Sequence, residues 1–207
     1  MARRTKEDAL ATRQLLLEAA QRVFAEKGVS RTSLQDIAQA AGVTRGAIYW
    51  HFKNKAELFD AMMKSAILPM EQALQQIGHG SGQDPLQGLE NALLQSMRSI
   101  ATDAQTRAIF EIATLKVEYV DELLAVKVRY AQSCFDATQE IQRSLQEAAV
   151  HHGVSLRMPA AVAAQGLQAL ITGLIHTWIL APTAYELVAV SKAVIQAYLA
   201  GLGFLIS

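Results

Sequence analysis

The sequence predicts an all-α protein of about nine helices, a small basic head followed by a larger acidic body. Three observations carry this expectation. Alanine, leucine, glutamine and glutamate dominate the composition, and only four prolines and twelve glycines interrupt the chain. Apolar residues recur at helical spacing, and no alternating run bounded by turn dipeptides marks a strand. Charge is unevenly placed: through Lys55 there are ten Lys or Arg against five Asp or Glu, and from Ala56 onward nine against fourteen. A net +5 quarter on a net −5 remainder fits a nucleic-acid-binding head on a different kind of body, although solvated lysine-rich faces are common.

The elements follow in order. Leu16, Ala19, Ala20, Val23 and Phe24 fit the i, i+3, i+4, i+7, i+8 stripe of a helix from about Glu7 to Lys27, which Gly28 ends. Ser33 and Asp36 have capping-box spacing at the start of a second helix with Leu34, Ile37, Ala38 and Ala41 inward, stopped by Gly42. Thr44 caps a third short helix that Ala47, Ile48 and Phe52 anchor. Asn54 and Glu57 open a longer helix to about Gln76, followed by a loop from Gly78 to Gln83. Asp84-Pro85 has N-cap and N1 chemistry, and Leu86, Leu89, Leu93, Met97 and Ile100 stripe the helix it starts. Further helices are expected near Thr106–Tyr119, Asp121–His151, Pro159–Leu180 and Tyr185–Phe204.

From Ser33 to Phe52 the pattern reads helix, tight turn at Gly42-Val43, helix, the spacing of a helix-turn-helix whose second helix enters the major groove. Gly42 permits the positive φ of the turn. The outer face of the third helix carries Thr44, Arg45, Gly46, Tyr49, Trp50 and His51. Arg45 can contact guanine with two donors, Gly46 lets backbone approach, and Tyr49, His51 and Lys55 suit phosphates. A generic helical hairpin satisfies the periodicity equally well. An exposed Tyr-Trp-His cluster beside Arg45, Lys53 and Lys55 is what favours DNA.

The whole run from Thr32 to Leu58, TSLQDIAQAAGVTRGAIYWHFKNKAEL, resembles the DNA-binding signature of the TetR family. The opening, Ala2-Arg3-Arg4-Thr5-Lys6 through Thr12-Arg13, is similar to the AcrR- and TtgR-like subgroup that represses multidrug efflux pumps. The resemblance implies an N-terminal three-helix DNA-binding domain over residues 1–55 and a helical ligand-binding and dimerisation domain over 56–207. It also implies that Thr44, Arg45 and Gly46 meet base edges, and that Tyr49, Trp50, His51 and Lys55 meet the backbone with help from Ser33, Arg3 and Arg4. Packing of Trp50 against the first helix is the plainer alternative, and Lys53 and Arg13 read as solvated charges.

In the body, the last two long helices are apolar nearly all round, and a helix apolar on every side must be buried on every side. A four-helix interface with a second copy is therefore expected, through Leu170, Leu174, Trp178, Val194 and Tyr198, with Gly166, Ala169 and Gly173 permitting close approach. An ordinary monomeric core would satisfy the same pattern. Leu93, Met97, Phe110, Thr114, Ile141, Leu167, Gln168, Ile171, Thr172 and His176 combine apolar surface with isolated polar groups and are candidates to line an effector cavity. The resemblance implies a drug-binding pocket among these helices. It thins in this half, persisting in Asp84-Pro85-Leu86, in Lys116 with Glu118, and in Gly173-Leu174-Ile175 with Trp178. Phe110 and Thr114 stand where the subgroup carries polar Asn and His, which favours more apolar or aromatic effectors.

Other classes find little support. His151 and His152 are adjacent, about 100° apart on a helix, and so are not expected to chelate like an i, i+4 pair. No cysteine pair, His-Glu metal spacing or phosphate-cradling loop is present, so neither catalysis, cofactor nor metal is expected. Cys134 sits mid-helix without an activating partner, and a single cysteine suits a reducing cytoplasm. No signal-peptide core follows Met1, and the most apolar stretch, Ala193 to Ile206, is too short to span a bilayer. The expected function is a ligand-responsive repressor acting on double-stranded operator DNA as a homodimer. Regulation of a catabolic or other non-efflux operon and a non-DNA-binding helical adaptor are the alternatives.

Overall fold

A computed structural model describes residues 6–77, 84–118 and 121–205. Among these it contains nine α-helices, one 3-10 turn and no strand: α1 Lys6–Lys27, α2 Leu34–Ala40, α3 Arg45–His51, α4 Lys55–Gln75, α5 Pro85–Thr102, α6 Ala104–Leu115, the 3-10 turn Asp121–Leu123, α7 Leu124–His152, α8 Ala160–Leu180 and α9 Leu187–Leu202. The expected helices all form, with ends moved by a few residues. The expected Gly78–Gln83 loop lies outside the described residues. The chain divides into two compact units, Met1–Ala66 with Ala108–Arg129, and Ile67–Arg107 with Tyr130–Ser207.

The first unit is built on α1, which buries Leu16, Ala19, Ala20, Val23 and Phe24. Gly28, at φ +81°, ends it and donates its N–H to Phe24 O at 2.9 Å. At the start of α2, the Ser33 hydroxyl oxygen accepts from Asp36 N at 3.2 Å while Asp36 Oδ2 accepts from Ser33 N at 2.9 Å and from its hydroxyl at 2.6 Å. This reciprocal box satisfies donors that the first turn would leave without partners. Gly42, at φ +67°, makes the turn into α3, and the next N–H, from Val43, reaches Ala38 O at 3.0 Å. The expected boundary after Lys55 falls inside this unit. The start of α4 buries Leu58, Phe59 and Met62, and the Phe59 ring meets Phe24 edge-on at 5.9 Å, so α4 begins as part of the same core.

The second unit has α5 and α8 each in contact with α9. Asp84 caps α5 by accepting from Leu86 N at 2.9 Å, with Pro85 in the first turn, and Leu86, Leu89, Leu93, Met97 and Ile100 are all buried. Within this apolar setting Glu90 is only 8% exposed. Gln196 of α9 donates to its carboxylate at 2.8 Å, which fixes the register of α9 on α5. The α8–α9 contact is closer still. Gly166 faces the Tyr198 ring, so that a methyl group there would lie 3.3 Å from Cζ and nearer still to the hydroxyl. That hydroxyl donates to Ala163 O at 2.9 Å, and burial pushes the phenol up, so it stays protonated as a donor.

Two consequences can be measured. Gly166→Ala forces the Tyr198 hydroxyl off Ala163 O, an overpacking cost of about 1–3 kcal/mol against a helix-propensity gain of about 1 kcal/mol. We expect net destabilisation in the wild-type background and a cost smaller by at least about 1 kcal/mol in Tyr198→Phe, read from a denaturation double-mutant cycle. Equal costs in the two backgrounds would show that the hydroxyl is not the clashing group. The Ser33 hydroxyl and backbone bonds, helped by Lys27, lower the Asp36 carboxyl to about 2. A carboxyl depressed in the folded state stabilises fully above its ordinary value and loses that contribution as pH falls through the folded one. The box should therefore weaken between about 4 and 2, and carbon-detected NMR should place the Asp36 midpoint near 2. A midpoint at the ordinary carboxylate value would mean the box is open in solution.

Candidate nucleic-acid interface and effector region

The recognition candidate is the outward side of α3. Its seven residues are held from beneath by fully buried Ile48 and by Phe52, and its N-terminus by Thr44, whose Oγ1 accepts from Ala47 N at 3.2 Å. Accepting that bond leaves the Thr44 hydroxyl proton free to donate outward. Thr44, Arg45 and Gly46 are exposed side by side. Tyr49 is 48% and Trp50 72% exposed, so the alternative of Trp50 packed against α1 does not hold. The Arg45 guanidinium lies 5.6 Å from the Tyr49 ring centroid, which restrains a long side chain at the surface. His51 is half-buried, edge-on to Trp50 at 4.6 Å and tilted against Phe52 at 6.3 Å.

Two basic residues differ from expectation. Lys55 is not at the outer face: it is 6% exposed, its ammonium donates to Ser30 O at 3.0 Å, and it pairs with Glu122 at 3.1 Å. A lysine at the first position of α4 points back under the loop after α1, where a carbonyl accepts from it and a carboxylate balances its charge. Arg13 is not merely solvated either, since its guanidinium stacks 5.1 Å over Phe52 and ties α1 to the end of α3. Sequence periodicity gives no sign of either contact, because both partners are distant in the chain or lie outside the helical pattern. Ser33 is exposed but its hydroxyl is engaged in the cap. Arg3 and Arg4 lie outside the described residues.

The effector candidates separate. Leu93, Met97, Ile141, Leu167 and Ile171 are buried in the second unit and Gln168 is half-buried there. Thr172 and His176 are exposed on the outer side of α8, a correction to their place as cavity lining. Phe110 and Thr114 are half-buried and belong to the first unit. Two clefts open within the second unit: one of about 260 Å³ lined by Glu71, Leu74, Asp136 and Glu140 among others, and one of about 450 Å³ lined by Ile77, Gln87, Gly88, Asn91 and Gln95 among others. Neither is lined by any of the expected effector residues.

The dimer candidates separate as well. Trp178 is 6% exposed within its own chain, with Arg107 stacked 5.3 Å over its ring, and Tyr198 points its hydroxyl inward to Ala163. Leu170, Leu174 and Val194 are half-buried. What α8 and α9 turn outward is mostly small: Ala169 and Gly173 between Val162 and Leu180 on one, Ala193, Ala197 and Gly201 on the other.

Cys134 is half-buried, and burial raises its thiol despite a bond from Tyr130, so it is not an activated nucleophile. Asp84, His151 and His152 come together with their ligating atoms within 4.8 Å of one another, contrary to the expectation that the two histidines diverge. No helix among the described residues is long and apolar enough to cross a membrane.

Residues 16–62 match the bacterial regulatory proteins of the tetR family, and residues 84–204 match the C-terminal region of MAATS-type transcriptional repressors. The chain is 38% identical over 187 residues to the HTH-type transcriptional regulator TtgR of Pseudomonas putida, covering 90% of this chain and 89% of that one. It is similar to the crystal structure of NalD, the secondary repressor of the MexAB-OprM multidrug efflux pump in Pseudomonas aeruginosa, with a TM-score of 0.85, 35% identity and coverage of 95% and 98% of the two chains. A complex of triclosan with SmeT, a repressor from Stenotrophomonas maltophilia, aligns with a TM-score of 0.81 at 31% identity over 92% of this chain and 90% of that one. Its helix-turn-helix, its helical C-terminal half and these relatives together make the chain a member of the TetR family of bacterial transcriptional regulators.

Proposed function

We propose that this regulator represses a multidrug efflux operon in the cytoplasm, binding a palindromic operator as a homodimer and leaving it when a hydrophobic or aromatic small molecule occupies the C-terminal half. The observation that carries the DNA half of the reading is the outward face of α3, where Thr44, Arg45, Gly46, Tyr49 and Trp50 stand exposed on a helix held from its other side by buried Ile48 and Phe52. Such a face costs apolar exposure for which the fold itself has no use. Thr44, Arg45 and Gly46 are assigned to base edges, Tyr49, Trp50 and His51 to the sugar-phosphate backbone, and Arg3 and Arg4 to an N-terminal arm. The efflux half rests on the relatives, among which NalD and SmeT are repressors of multidrug efflux pumps.

The effector reading rests on the apolar set Leu93, Met97, Ile141, Leu167 and Ile171, buried within the second unit, with half-buried Gln168 there as a polar anchor. Release requires that the ligand bind the DNA-incompetent arrangement more tightly than the competent one.

The first test is fluorescence anisotropy on the protein's own upstream DNA, with and without triclosan, hydrophobic antibiotics and plant phenolics. Tight, salt-dependent binding released by a panel member is expected, and absence of sequence-specific binding would sink the reading. Arg45→Ala should weaken operator binding by about 1–3 kcal/mol while leaving non-specific binding nearly unchanged. Lys55→Met should instead lower stability by about 1–3 kcal/mol, since Ser30 O and Glu122 lose their donor, and leave the salt dependence of binding unaltered.

Dimerisation is assigned to the outward sides of α8 and α9. Both helices are apolar beyond what their inward faces need, and Val162 and Leu180 remain 56% and 58% exposed. Gly173 tests this cleanly, because a side chain there meets nothing within 4 Å in its own chain. Gly173→Arg should keep the helical circular dichroism of the wild type, convert the dimer to a monomer in light scattering, and abolish operator binding. A variant that remains dimeric would move the interface elsewhere.

A further inference from the structure

The last turn of α7 and the start of α5 carry a cluster that DNA or effector binding does not use. His151 and His152 are consecutive, with ring centroids 5.1 Å apart and planes at 74°. His152 Nε2 lies 2.9 Å from Asp84 Oδ1, and one ligand atom from each of the three residues lies within 4.8 Å of the other two. Neighbouring residues on a regular helix diverge, but α7 ends at His152, with Gly153 at φ +62° immediately beyond. The carboxylate comes from a different element and stands where both rings can reach it.

From this juxtaposition we infer that Asp84, His151 and His152 form a binding site for a divalent transition-metal ion such as Zn²⁺, Ni²⁺ or Co²⁺. Two imidazoles and one carboxylate are a ligand set that borderline ions take, with water completing the coordination. Ligand atoms about 2.0–2.1 Å from a tetrahedral ion stand about 3.3 Å apart. The His152–Asp84 pair at 2.9 Å is near that value already. His151 is exposed and closes the remaining distance by rotating its side chain. Two of the three ligands are oriented from outside the cluster. Leu86 N donates to Asp84 Oδ1 at 2.9 Å, and the Phe204 ring stands edge-on to His152 at 6.1 Å. Such supports hold metal ligands in place before the ion arrives. No other group of three metal-ligating side chains this close occurs among the described residues. All three ligands lie in the second unit, so the ion clips the end of α7 to the start of α5.

The test uses the full chain without a histidine tag, titrated with ZnCl₂, NiCl₂ and CoCl₂ by calorimetry near neutral pH. One ion per chain is expected, with a rise in melting temperature on loading and ligand-field bands in the Co²⁺ spectrum. His151→Ala and His152→Gln should each weaken binding more than about tenfold. Asp84→Asn should do the same while keeping the helix cap, since asparagine caps as well as aspartate. The melting temperature of each metal-free variant checks that it is folded. His176→Ala, distant in sequence and outside the cluster, should bind like the wild type. No ion bound by the wild-type chain, or binding that survives both His151→Ala and His152→Gln, would overturn the assignment.

Discussion

A seven-residue helix has almost no stability of its own, and the presentation of α3 depends on overcoming that. Its nucleation cost is met from outside: by the Thr44 cap, by the left-handed Gly42 that sets its direction, and by Ile48 and Phe52 sunk into the core under α1. Arg13 stacked on Phe52 seals the far end. Because these inward contacts supply the stability, the outward residues are free to be chosen for recognition. Gly46, a poor helix former, and the large exposed Trp50 are tolerable only on a helix held in this way.

The second unit faces the opposite problem. Its helices are long and strongly apolar, and the difficulty is to choose one packing among many that would bury similar surface. Polar contacts inside the apolar seam make that choice. Gln196 on Glu90 sets α9 along α5, and Tyr198 on Ala163, admitted by Gly166, sets α8 against α9. Tyr185 adds a third constraint at the helix ends, donating to Leu174 O at 2.7 Å across the α8–α9 turn. A slip by one turn would strand a buried carboxylate or hydroxyl, a penalty that equivalent apolar burial in the slipped register does not offset. With the register fixed, small residues of both helices, Ala169, Gly173, Ala193, Ala197 and Gly201 among them, are left exposed.

Local rules make much of this legible in the sequence. Capping boxes, left-handed glycines and 3.6-residue periodicity are short-range signals, and Ser33-Asp36, Thr44, Gly28, Gly42 and Asp84-Pro85 all behave as those rules require. The outward face of α3 is legible for the same reason. What escapes is tertiary in origin. Lys55 reads as a free cation until Glu122 and Ser30 surround it. Trp178 and Tyr198 read as interface residues on helices apolar all round, and only contact with Arg107 and Ala163 shows that they turn inward. Thr172 and His176 share the ambiguity in reverse. Helical angle alone separates His151 from His152, but that rule fails at a helix end and ignores a third ligand from another element.

The first unit is not built from the helix-turn-helix alone. The segment from Ala108 to Arg129, contributed by α6 and the start of α7, is joined to the head by polar bonds as well as by packing. Val29 N donates to Lys116 O at 3.0 Å, Lys55 pairs with Glu122, and Arg129 pairs with Asp60 of α4. These directional bonds tie the loop after α1 and the start of α4 to the same segment, and Lys55 makes two of them from a buried position. Its place is therefore structural: it is a joint between two parts of the first unit rather than a free cation, and removing it would leave a carbonyl and a carboxylate without their shared donor.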